Sequence, residues 1–184
     1  MTVFQEAYPD LVIFLTFGYS LPWAESSQGR LALADCHYGL LAPFLDGMVA
    51  AAKGKTRLVD GHELSYSWKK LEQFAVGYKA MKQDLLPIVL DPAKYHQCFS
   101  FGFGLWLDHD WRKLGWNTED LSKNYFAPES FEAAAVNAIQ QTDQYVWIYT
   151  ETPRWWSEDG KPIKLPSEYT VALRHAKLPR VPPN

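Results

Sequence analysis

Four short apolar runs, each followed by a stretch whose apolar residues recur every three or four positions, set the narrowest limits on what this chain can fold into. The runs are Leu11–Phe17, Arg57–Glu63, His96–Asp108 and Tyr145–Glu151. Their lengths and flanking Gly and Pro residues read as strands. Leu11–Phe17 is apolar throughout, the pattern of a strand buried on both faces. After it, Leu40, Leu41, Phe44, Leu45, Met48 and Val49 fall at helical spacing, and Pro43 fits best in a first turn, so this helix begins near Ala42. Trp68, Leu71, Phe74, Ala75, Tyr78, Met81 and Leu85 form the second amphipathic face, ending near Pro87. Pro128–Gln141 reads as an Ala-rich helix with Pro at its start, and Ser167–Lys177 as a short final helix. Strands that alternate with helices pair in parallel under a helical cover. The expectation is an α/β fold of four β/α units, half of a TIM barrel, over residues 1–177, with 178–184 as a Pro-rich tail.

Alternation within the strands adds a direction. In the third run Phe99, Phe101, Phe103, Leu105 and Leu107 share one side, and Ser100, Gly102, Gly104, Trp106 and Asp108 share the other. The bulky side suits helices and the small side suits a crowded interior. Glu63, Asp108 and Glu151 then all point inward at the C-terminal ends of successive strands, the end where barrel enzymes place their sites. His62 falls on the opposite side of its strand.

Paired carboxylates at one mouth can cleave a glycosidic bond, one protonating the leaving oxygen while the other attacks the sugar or activates water. Glu151 and Glu63 are the leading catalytic candidates, with Asp108 next. Aromatic residues follow each strand, and Tyr19, Trp23, Tyr66, Trp106, Trp155 and Trp156 are the candidates for stacking on a sugar. The competing structural reading makes the acids caps or ion-pair partners and the indoles plugs that order long loops.

Other chemistries find less support. With 184 residues, 47% hydrophobic, 15% aromatic and a net charge of −3, the chain suits a globular core and carries no basic field for nucleic acid or an anionic membrane. Its N-terminus lacks the basic and apolar regions of a secretory signal, although a longer natural product could carry one and be exported, so the compartment stays open. No window suits a bilayer span. Cys36 and Cys98 are too few for a disulfide framework and read as isolated thiols. Asp108-His109-Asp110 could offer metal ligands, but no second cluster has ligand spacing, so no metal is expected. Gly102-Phe-Gly104 is a bare GxG inside a strand, and neither a phosphate-loop nor a nucleophile-elbow motif occurs, so no cofactor is expected.

The segments Phe14–Trp23, Val59–Tyr66, Phe101–Asp108 and Tyr145–Trp156 together resemble the second half of bacterial proteins related to (β/α)8 glycoside hydrolases. The resemblance runs over most of the chain and implies a carbohydrate ligand. In the large retaining clan of such barrels the acid/base and nucleophile follow the fourth and seventh strands. If the strands here are the fifth to eighth, the acid/base strand is absent and Asp108 stands where that clan has Glu. Three outcomes remain open: a hydrolase, a carbohydrate-binding module without catalysis, and a structural half-barrel that self-associates or pairs with a missing N-terminal half.

Overall fold

A computed structural model describes residues 1–110 and 112–178; Trp111 and the expected tail from 179 onward lie outside the described residues. The fold is mixed α/β with small parallel sheets and, among the described residues, no closed barrel. Strands β1 (Val12–Leu15), β2 (Arg57–Asp60) and β3 (Phe99–Phe101) form a three-stranded parallel sheet, and β4 (Phe103–Trp106) and β5 (Val146–Tyr149) a two-stranded one. Val12 aligns with Arg57, Leu58 with Phe99, and Phe103 with Val146. Only Gly102 separates β3 from β4. Its N–H donates to the Asp60 carbonyl at 2.8 Å, and the next N–H, of Phe103, donates to Tyr145 at 3.3 Å. The spatial order is therefore the chain order.

Helices follow the predicted places with three additions. Helix α3 (Leu41–Ala51) starts where Pro43 falls in the first turn, α6 (Pro128–Gln141) has its Pro at N1, and α7 (Ser167–Ala176) closes the described chain. The added helices are α1 (Thr2–Ala7), α2 (Ser20–Glu25) and α5 (Pro92–Cys98). Helix α5 corrects the third strand, whose expected first residues, His96 to Cys98, are helical. Asp91 caps it by accepting from the Lys94 N–H, and Pro92 opens it, a start signal that outweighs the apolar run behind it. The helix expected up to Pro87 is also shorter: α4 spans Leu71–Lys79 and passes into a π turn over Ala80–Asp84. Tyr95 donates from its hydroxyl to the Met81 carbonyl within that turn, at 2.8 Å.

Phe101, Phe103, Leu105 and Leu107 are at most 3% exposed beneath the helices, as the bulky side of the third run predicts. The small side receives rings instead of empty space. The Trp147 indole of β5 crosses Gly104, where a Cβ would come within 2.8 Å of it, and donates from Nε1 to the carbonyl of Gly61, the residue after β2, at 2.8 Å. Phe14 of β1 leans over Gly61 and meets Trp147 edge-on, with centroids 5.9 Å apart. One expectation is corrected on this face. Strand β1 is not buried on both sides, since Val12 and Phe14 remain 46% and 38% exposed, and β5 is half open, with Tyr149 at 37%. Both are edge strands, and a continuous apolar run does not reveal that position.

Asp60, at the end of β2, is fully buried and accepts from the Ser20 N–H (3.1 Å), the Ser20 hydroxyl (2.9 Å) and the His62 N–H (3.0 Å). One carboxylate thereby fixes the turn after β1 and the turn after β2. Gly18 is required beside it, because a Cβ there would collide with the carboxylate. Asp60→Ala leaves three buried donors without an acceptor and is expected to cost about 3 kcal/mol or more, read from urea denaturation. A loss under about 1 kcal/mol would show that water replaces the carboxylate.

Candidate functional site

Strand β2 stops at Asp60, and the chain turns through His62 in the left-handed region (φ 43°) into a 3-10 turn over Glu63–Ser65. Glu63 thus reaches the strand ends from a turn and not from the strand itself. Ser65 secures that turn to the sheet: its Oγ accepts from the Gly104 N–H at 3.0 Å, and its hydroxyl lies 2.7 Å from the His62 carbonyl as donor. The next residue, Tyr66, accepts at its carbonyl from the Trp106 N–H at 3.1 Å. Its ring comes to rest over the ends of β4 and β5.

There it stacks on Tyr149, with centroids 5.5 Å apart and planes 15° from parallel, while Trp106 and Trp147 pack against it at 5.8 and 5.3 Å. The Tyr149 hydroxyl donates to Glu151 Oε1 at 3.2 Å. Burial, followed by the Glu63 carboxylate beside it, pushes the Tyr66 phenol far above its usual range. Tyr149 moves the same way through desolvation and the charges of Glu151, Asp108 and Glu63. Both phenols therefore stay protonated donors. Glu63, Asp108 and Glu151 all lie within electrostatic reach of this stacked pair.

Their surroundings differ. Asp108 is 9% exposed and saturated, accepting from the Glu151 N–H (3.1 Å), the Thr152 N–H (2.8 Å) and Trp106 Nε1 (3.1 Å). It ties the end of β4 to the chain leaving β5. Glu151 is open to solvent and Glu63 half-buried. Trp106, Asp108 and Glu151 face Lys113 and Trp116 across a cleft of about 360 Å³.

Several expected sugar-stacking residues lie elsewhere. Tyr19 is fully buried between Tyr95 and Phe99, with its hydroxyl on Asp46 at 2.7 Å, so it is a core residue and cannot stack on a ligand. Trp23 sits on α2, half-buried against the core and beside Gly29. Trp155 packs partly into the core with its Nε1 buried and unpartnered, whereas Trp156 stands 74% exposed. These two follow β5 in a small hairpin closed by reciprocal Arg154–Ile163 bonds of 2.9 Å. Of the predicted aromatics, Tyr66 and Trp106 are at the acids. Tyr149 completes the pair, on the side that strand alternation assigns to Glu151.

Cys36 and Cys98 are separate thiols. Among the described residues, no three His, Cys, Asp or Glu side chains gather to hold a metal ion, and no helix is long and apolar enough to cross a membrane. No family model, curated protein or solved structure matches this chain.

His62 is 5% exposed, wedged between Trp68 (5.0 Å) and Phe103 (5.8 Å), and neither ring nitrogen has a partner. Burial lowers its pKa, opposed in part by the Asp60 charge. The unfolded chain therefore takes up a proton near pH 6.5 that the folded chain refuses. The stability associated with neutral His62 is complete above about pH 6.5 and falls as the pH drops below it, by roughly 1.4 kcal/mol per unit until the folded pKa is reached. His109 has a lowered pKa as well, chiefly from burial. His62→Leu should flatten the decline between about pH 6.5 and 5 in denaturant melts. An unchanged slope would assign the acid sensitivity to other groups.

Proposed function

We propose that the strand order supports a partial (β/α)8 barrel related to glycoside hydrolases, and that its mouth binds and processes a carbohydrate. One observation carries this reading: the stacked Tyr66–Tyr149 pair, edged by Trp106, stands among Glu63, Asp108 and Glu151 at the C-terminal strand ends. Rings offer apolar faces to the C–H side of a pyranose, phenols donate to its oxygens, and carboxylates accept from its hydroxyls. Glu151 and Glu63 take the two carboxyl roles of glycoside cleavage. Asp108 is a positioning residue, because its oxygens are already engaged by two backbone N–H groups and an indole.

The test is Glu151→Gln, which keeps shape and hydrogen-bonding reach but removes the ionisable group. Turnover of a panel of aryl glycosides should fall by about 10²–10⁴-fold with little change in melting temperature. Lowered stability with normal turnover per folded molecule would make Glu151 structural and move the assignment to Glu63.

A second reading, a binding site without turnover, is favoured by the openness of Glu151 to water. Oligosaccharide affinity with no product would select it. Under either reading Trp106→Ala should weaken oligosaccharide binding by roughly 2- to 12-fold, the equivalent of about 0.5–1.5 kcal/mol of stacking. Unchanged affinity in calorimetric titration would assign Trp106 to packing.

A further inference from the structure

Parallel sheets are almost always covered on both faces, yet one face of this sheet is open: Phe14, Tyr145 and Tyr149 keep 37–38% of their surface exposed there. Both of its edges are open as well. The Leu11 and Leu15 carbonyls accept from Arg57, which opens β2, and from Gly61 just after it, so the backbone groups of Val12 and Phe14 point outward from β1. Likewise the Tyr145 and Tyr149 carbonyls accept from Phe103 and Leu107, so those of Val146 and Ile148 point outward from β5. Exposed edges of this kind invite pairing.

We infer that a second copy of this chain closes the sheet. The strands stand in chain order and run parallel. A two-fold axis along them therefore lays β5 of each copy beside β1 of the other, parallel at both seams. Taking β3 and β4 as one strand interrupted at Gly102, each copy supplies four and the pair about eight, the number whose interior is just filled by side chains. The face that closure would enclose is the one on which rings of both edge strands converge, Phe14 against Trp147 and Tyr145. Three one-third-exposed rings of about 200 Å² each, together with Val12, the half-buried Tyr66, Trp106 and Trp147 and the two edges, amount to roughly 500 Å² per protomer. The total of about 1,000 Å² lies at the lower bound for a stable interface. The dimer should accordingly dissociate in the micromolar range.

This arrangement rests on the barrel reading proposed above but not on the identity of the ligand. Because the axis runs along the strands, all the C-terminal ends meet at one mouth. Glu63, Tyr66, Tyr149 and Glu151 of one protomer then share an opening with the same residues of its partner, and the site is complete only in the pair.

Sedimentation of the whole chain from submicromolar to tens of micromolar tests the inference, alongside Val12→Lys and Val146→Pro. Val12 is exposed in the single chain, so a lysine there is tolerated until closure would bury it. Val146 opens β5 with its N–H facing outward, where Pro is compatible with an edge strand. The expected result is a monomer–dimer equilibrium that either substitution shifts at least tenfold toward monomer, with circular dichroism unchanged. If one variant misfolds, the other decides. A wild type that stays monomeric at every concentration, that grows into open-ended polymers, or that dimerises as well with both substitutions overturns the inference. Oligosaccharide titration separates it from the functional proposal: a monomer that binds sugar sinks only the second copy, and a dimer that binds none sinks only the sugar.

Discussion

The buried carboxylate of Asp60 is the constraint on which the rest of the site depends. It is a carboxylate with no exposed surface, made tolerable by three donors, two from Ser20 at the start of α2 and one from His62 in the turn after β2. Those bonds hold Ser20 after β1 and turn the chain at His62 after β2. The turn at His62 delivers Glu63 and Ser65, Ser65 locks to Gly104, and Tyr66 is then placed on Tyr149. Each step hands position from backbone to side chain. A fully buried group thereby sets where Glu63 and Tyr66 stand.

A second constraint is the exchange of side-chain volume across the open face. Gly61, Gly102 and Gly104 carry no Cβ, and the space is taken by Phe14, the Tyr145 backbone and Trp147. The glycines are therefore as specific as the rings. Adding a methyl at Gly104 would displace the indole that bridges β5 to the Gly61 carbonyl. This complementarity lets an indole from one edge strand reach the end of β2, two strands away.

Much of this was legible in the sequence where burial decides side-chain direction. The alternation from Phe99 to Leu107 predicts the helix-facing side because those residues are buried whichever loops surround them, whereas Glu63 reaches the strand ends through a turn that alternation does not describe. Positions in loops were not legible. Tyr19 and Trp156 both follow strands closely, yet one is core and the other surface, because only tertiary packing decides which side of the sheet a turn returns to. His62 shows a similar limit, since nothing in its neighbours signals the left-handed backbone that ends β2 early. Asp60 is not legible either, because an acid within an apolar run looks like any strand-end charge. The signals were Gly18 and Ser20, whose partner lies far along the chain.

Strand β1 marks the boundary between what the chain specifies and what it leaves open. Its composition is that of a strand covered on both sides, whereas its position in the fold is an edge with Val12 and Phe14 exposed. The same openness bears on chemistry. Glu151 stands in water at the end of β5, beside the open face. Covering the open face would bury the rings of β1 and β5 and, in the same step, exclude water from the strand ends where the acids lie. In the proposed dimer, covering the open face and shielding the acids would be one event, since that face runs on into the strand ends where the acids lie.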